Sequence, residues 1–193
     1  MFDSPKISIV LRTLAAGLFI LTAPAMAADI AALLARADKA SASGDSNAAI
    51  EALEQALERV RTEAPLLLVN SVVVSRPAQY FGDYEPRPNA VFAKGQKLNF
   101  YAEPKNLVSR VGGKYEPAFE VDMEVLSADG KAVAKQPRFV SFRLPTKSQV
   151  QDIFLNLDVT LTGAPSGRYT IRFVIRDLNS KKTAVTAYNI ELK

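Results

Sequence analysis

Two short runs of alternating residues carry most of the chemistry this chain can offer. In the first, Glu120, Asp122 and Glu124 alternate with Phe119, Val121, Met123 and Val125; in the second, Arg168, Arg172 and Arg176 share a run with Tyr169, Ile171, Phe173 and Ile175. Side chains of a β-strand point to opposite faces in turn, so each run sets its charges on one face and its apolar residues on the other. Guanidinium forks engage carboxylates and phosphates through paired hydrogen bonds. The stripes therefore have two readings. One is a cross-strand ion-pair ladder, each pair worth about 0.2–1 kcal/mol and screened by salt. The other is a polar face on which a partner docks. Acids two apart on a strand lack the folded oxygen cage of a calcium loop, so no metal is assigned to them.

A second candidate is the segment 80–88, where Tyr80, Phe81, Tyr84 and Arg87 lie between prolines. Aromatics with an arginine are the material of binding hot spots. They serve equally well as a plug for one end of a domain or a seal against a neighbouring element. A third segment, 108–115, has Gly112-Gly113 and two bases but no recognisable chemistry.

What is missing narrows the function more sharply. Among 193 residues there is no cysteine and no histidine, which removes thiol nucleophiles, Ser-His-Asp triads, histidine-ligated zinc and covalently attached haem. Carboxylate pairs and a Ser-Lys dyad remain chemically open, but no spacing singles them out. Gly112-Gly113 is not followed by the Lys-Ser or Lys-Thr start of a phosphate-binding helix. The expectation is a non-enzymatic protein without cofactor or metal.

The N-terminus reads as an address. Lys6 and Arg12 flank the apolar run 13–22, which leads through Pro24 into Ala25-Met26-Ala27, the pattern of a cleaved export signal. The run is about half the roughly 20 residues of a membrane-spanning helix. Cleavage after Ala27 leaves 193 − 27 = 166 residues, enough to bury a core without disulfides. The expectation is a periplasmic or secreted protein with no stable membrane insertion once the signal is removed.

Net charge is +4 for the whole chain. Residues 28–64 hold seven acids and four bases, whereas residues 65–193 hold twelve acids and eighteen bases. An acidic front thus precedes a mildly basic body. No Lys/Arg cluster or nucleic-acid motif accompanies the charge, so no nucleic acid is expected as partner.

The elements that must position these residues follow from periodicity. From Asp29 to Glu63 apolar residues recur at three- and four-residue steps, broken at residues 41–46. Gly44 suits the end of one helix, and Asp45 or Ser46 the start of the next. Gly44-Asp45, Ala49 and Ala56 stand at the small-residue positions of a tetratricopeptide-type hairpin, which this stretch resembles. A single such repeat cannot form the stacked groove of an array, so docking or self-association is the role it implies.

After Pro65 the period becomes two. Segment 66–75 is apolar on both faces, as in a strand covered on both sides. Alternating rows follow at Leu98, Phe100 and Ala102, then along the two charged runs, then at Ile153, Leu155, Leu157, Val159 and Leu161, and finally over residues 184–192. Phe139 opens a short strand, and Asp129-Gly130 marks a tight turn before it. About seven strands joined by turns indicate an antiparallel β-sandwich.

The Pro165-Ser166-Gly167-Arg168-Tyr169 corner and the closing hairpin resemble the last two strands of immunoglobulin-like and fibronectin-like modules of bacterial surface proteins. The order Tyr84-Glu85-Pro86-Arg87, Phe92 to Gly95 and Tyr101 to Glu103 further resembles uncharacterised signal-bearing envelope proteins. The resemblance implies architecture and no binding residues, since the buried Trp and paired cysteines of immunoglobulin domains are absent. In such a sandwich the third and sixth strands are neighbours, which would set the acids against the arginines.

The organisation expected is a signal at 1–27, a helical hairpin at 28–64 and an immunoglobulin-like sandwich at 65–193. The function expected is an interaction or scaffolding module of the bacterial envelope that recognises a protein partner through the charged sheet face or the aromatic segment. The alternative is a carrier holding a small ligand or glycan in a pocket lined by Tyr80, Phe81 and Tyr84.

Overall fold

A computed structural model describes residues 23–193. Two helices come first, α1 (Ala23–Ala42) and α2 (Ser46–Glu63). The turn between them is narrower than the sequence break, and its chemistry is that of a helix stop followed at once by a start. Gly44 takes φ 79°, and the Asp45 and Gly44 N–H groups donate to the carbonyls of Ala40 (2.9 Å) and Ser41 (3.0 Å). These bonds satisfy carbonyls that the ending helix leaves open. The Asp45 carboxylate then accepts the Ala48 N–H at 3.0 Å and caps α2. Arg36 of α1 reaches Gln55 at 3.0 Å and Glu51 at 3.8 Å on α2.

α1 begins earlier than Asp29, so Ala25-Met26-Ala27 lie within it. Lys6, Arg12 and the apolar run 13–22 lie outside the described residues. Among the described side chains of the two helices, the buried ones are all alanine: Ala37, Ala49, Ala52 and Ala56. The larger Ile50, Leu53, Leu57 and Val60, spaced three, four and three, are 45–54% exposed. By contacts the chain divides into two compact units, the first ending at Ala56 and the second spanning Leu57–Lys193. The division falls inside α2.

The second unit contains β1 (Leu67–Val74), β2 (Val91–Phe92), β3 (Lys97–Lys105), β4 (Arg110–Val111), β5 (Lys114–Tyr115), β6 (Ala118–Ser127), β7 (Ala132–Arg143), β8 (Leu155–Thr160), β9 (Gly167–Asp177) and β10 (Thr183–Leu192). Three of these are two-residue pieces, which leaves seven long strands. One sheet has the order β1-β3-β8 and the other β2-β10-β9-β6-β7. Their inner faces meet in one core that includes Phe100, Phe119, Phe173, Leu98, Leu157, Ile171, Ile175 and Tyr188. The fold is an immunoglobulin-like β-sandwich following a pair of helices. Its fourth long strand, β7, sits beside the third rather than beside the fifth, as it would in an immunoglobulin constant domain.

Three local expectations change. The large sheet is not wholly antiparallel, because β2 runs parallel to β10 through Val91 and Phe92. β1 is an edge strand with a register shift between Val69 and Val72, where Asn70 has φ 50°. The shift exchanges its faces, so Leu66 and Leu68 join the main core while Val72 and Val74 pack on the opposite side. That is why the segment reads as apolar on both faces. β7 is not a short strand from Phe139 but a twelve-residue one from Ala132, interrupted where Pro137, Arg138 and Phe139 together oppose the single residue Asp122. Proline cannot donate to a ladder, which confines it to edges and bulges.

Candidate functional site

β6 and β9 are antiparallel neighbours, with Glu120 opposite Arg176 and Glu124 opposite Arg172. The charged stripes thus share the solvent face of the large sheet, and five of the six side chains are paired there, in two groups. Arg176 bridges two acids: its guanidinium holds both oxygens of Asp122, one of them at 2.9 Å, and reaches Glu120 at 3.2 Å. Arg172 engages Glu124 through two nitrogens, Nε at 2.9 Å, and Lys135 of β7 approaches the same carboxylate at 3.0 Å.

Asp122 has a further task. It accepts the Arg138 N–H at 2.7 Å, inside the bulge where Arg138 adopts φ 50°, a conformation unfavourable for most non-glycine residues. The Arg176 hydrogen bond, seconded by the Arg138 amide, draws the Asp122 carboxyl from 3.8 down to about 2. Glu124 is also lowered, by hydrogen bonds from Arg172 and then Lys135. Arg176 is raised in return, chiefly by Asp122. Arg168 stands outside both groups. It lies beyond the last acid, opposite Glu191 of β10, is exposed, and forms no ion pair among the described residues.

The aromatic segment is anchored over the outer face of the small sheet rather than across an end of the sandwich. Tyr84 stacks on Tyr101 with ring centroids 4.5 Å apart, Phe81 lies under the Lys105 ammonium at 4.6 Å, and Arg87 covers the Phe92 ring at 4.4 Å. Arg76 pairs through two nitrogens with Asp83 at 2.8 and 2.9 Å, which draws the Asp83 carboxyl down to about 2. Asn156 of β8 makes a two-way bond with the Ala78 backbone at 3.0 and 2.8 Å. Only Tyr80, 65% exposed, is left outward as a large apolar group of this segment.

Beneath the segment sits the Tyr101–Glu103 pair, which the sequence offered as part of a resemblance and without a role. The Tyr101 hydroxyl accepts the Gly82 N–H and donates to Glu103, both at 2.9 Å. Burial pushes the Tyr101 phenol up to about 12. A Tyr-x-Glu pair on alternate strand positions was its signal.

Cavities open elsewhere. One of about 570 Å³ lies between the sheets beside β7 and β8, with Met123, Val125, Val133, Val159, Leu161 and Tyr169 in its walls. Another, of about 520 Å³, includes Arg168, Thr170, Asn189 and Glu191 together with Tyr169. Tyr80, Phe81 and Tyr84 line neither. No helix among the described residues is long and apolar enough to cross a membrane.

No protein-family model matches the chain, and no curated protein matches it. Solved structures similar to it include an immunoglobulin-like protein from Pseudomonas aeruginosa, 12% identical with a TM-score of 0.33 over 69% of this chain and 95% of that one. A CARDB domain from Pyrococcus furiosus, described in complex with di-metal ions, is 16% identical with a TM-score of 0.35 over 68% of this chain and 90% of its own. An alkylpurine DNA glycosylase from Pseudomonas fluorescens is 14% identical with a TM-score of 0.39 over 77% of this chain, which spans only 39% of that enzyme. These likenesses carry no argument about function.

Proposed function

We propose that the chain is an exported, non-enzymatic interaction module of the bacterial envelope, and that it recognises a protein partner through the helical hairpin. The observation that carries this reading is the stripe of Ile50, Leu53, Leu57 and Val60, four large apolar side chains left 45–54% exposed while alanines occupy the buried positions. A two-helix pair gains more by burying leucine than alanine, at about 25 cal/mol per Å² of apolar area. Large exposed apolar surface marks an interaction site. Glu51, Glu54 and Glu58 stand beside the stripe on α2, so the complementary partner is a protein groove with an apolar floor and a basic rim.

The acids of the large sheet are engaged by Arg172, Arg176 and Lys135, which supports a structural ladder there. An address in the periplasm or outside the cell is part of the proposal and rests on the leader. The experiment is photocrosslinking from position 53 in intact cells. A discrete adduct with a second protein, lost in Leu57→Glu, is expected. Free monomer alone, at position 53 and at position 60, would overturn the reading.

A further inference from the structure

The two sheets differ in width, and the difference leaves a cleft on the inner face of the large one. The small sheet ends at β8 while the large sheet continues to β7, and residues 132–138 of β7 are exposed. The cleft is floored by Met123 and Val125 of β6 and Val159 of β8, all buried, and its rim includes Val133, Leu161 and Pro165. Local sequence keeps it open. β7 sets Ala134 opposite Val125 and leaves Val133 unpaired as a bulge, so a methyl group stands where a larger side chain would fill the gap. On the β8 side Gly163, at φ 73°, turns the β8–β9 connection. The Tyr169 hydroxyl holds that connection in place by donating to the Pro165 carbonyl at 2.9 Å.

The space is about 570 Å³, within the roughly 300–1,000 Å³ of pockets that enclose one small ligand. An unfilled apolar gap forfeits the dispersion contacts its walls would make. The lining carries no charge: among the described residues, no Asp, Glu, Lys or Arg borders it. Its inner hydroxyls are already engaged, Tyr169 as above and Ser127 at 2.5 Å from the Asp129 carboxylate and 3.0 Å from the Lys131 carbonyl. Thr160 and Thr162 are exposed. A charge carried into this space would lose its hydration and meet no counter-ion, which is strongly unfavourable. The cleft touches β8 only at Val159 and Thr160, the last two residues of the strand. It therefore follows no length of strand edge along which a peptide could pair.

We infer that the chain binds an uncharged, largely hydrocarbon small molecule in the cleft between β7 and β8. The volume limits the size of this ligand, and the charge-free lining selects its neutrality. The site is separate from the α2 stripe, and either can stand without the other.

The test uses the full chain and N-phenylnaphthylamine, an uncharged fluorescent probe, beside anilinonaphthalene sulfonate, which carries a sulfonate on the same skeleton. Wild type should bind the uncharged probe, and the sulfonate about tenfold more weakly. With methyl-labelled methionine, saturating probe should shift the Met123 resonance, identified by its loss in Met123→Leu, and leave that of Met26 in place. Val133→Trp, at a rim position that is itself 58% exposed and so tolerant of bulk, should weaken binding about tenfold. Leu57→Glu, on the helical stripe, should leave binding unchanged. The inference is overturned if wild type fails to bind the uncharged probe, if the sulfonate binds as tightly, or if the Met123 methyl does not move. The methyl readout decides the question even where the tryptophan variant does not fold. The inference also falls if Val133→Trp, with the wild-type circular dichroism and melting curve, binds like wild type, or if Leu57→Glu abolishes binding, which would put the probe on α2. A second copy filling the cleft would give a wild-type dimer that excludes the probe, and would overturn the inference equally.

Discussion

At the scale of the residue, three arginines that look equivalent in the sequence do different work. Arg176 holds Asp122 and Glu120, and Arg172 holds Glu124, whereas Arg168 has no such partner among the described residues. Arg176→Ala should therefore lower stability in urea unfolding by about 1–2 kcal/mol, and Arg168→Ala should change it by less than about 0.5 kcal/mol. Asp122 shares the response to acid with Asp83 and Glu124. Its folded value is about 2 against 3.8, so its contribution is complete above the unfolded value and is lost as pH falls from about 4 towards 2. Asp122→Asn should flatten the stability curve across that window by about one proton, and salt should weaken the difference. The pairing of acids with arginines was legible because strand alternation is written in sequence and the resemblance to an immunoglobulin-like sandwich supplied the strand order. The exclusion of Arg168 was not, because it depends on where β6 stops: Ser127 is the last residue paired, opposite Tyr169.

At the scale of the element, the sequence placed the helix boundary well and the helix faces poorly. Gly44 and Asp45 carry local chemistry, and the structure uses both at the turn. Asp45→Ala should remove the cap of α2 at a cost of about 1 kcal/mol, seen as lower helical circular dichroism on mild heating. By contrast Ala49, Ile50, Leu53, Ala56, Leu57 and Val60 read as one helical stripe. They are two, since 49, 52 and 56 follow one phase and 50, 53, 57 and 60 the next. Adjacent phases lie about 100° apart, and a broad apolar face accepts either. The bulge in β7 was hidden for a similar reason. Pro137 signals an interruption, but only the pairing with β6 shows that it costs two extra residues opposite Asp122.

At the scale of the whole molecule, a cysteine-free chain is held by packing, hydrogen bonds and ion pairs, without disulfides. The main core draws on residues from Leu66 to Leu192, and the smaller cluster on Val72, Val74, Ala78, Tyr84, Tyr101 and Phe154. Lys182 adds a tie within the second unit, donating to the Arg61 carbonyl at 2.8 Å and the Asn106 carbonyl at 3.1 Å. A chain beginning at Leu57 should therefore keep the β circular dichroism and a single cooperative melt. Loss of cooperativity would mean that the first unit is needed to hold the second.

The interruption in β7 has one more consequence. A twelve-residue border strand offers a row of amides and carbonyls along which neighbouring molecules can stack without limit. In this chain Pro137 removes one donor from the row, and the left-handed turn at Arg138, fastened by Asp122, swings the backbone out of line. The same carboxylate that balances Arg176 thus guards the border against fibre growth.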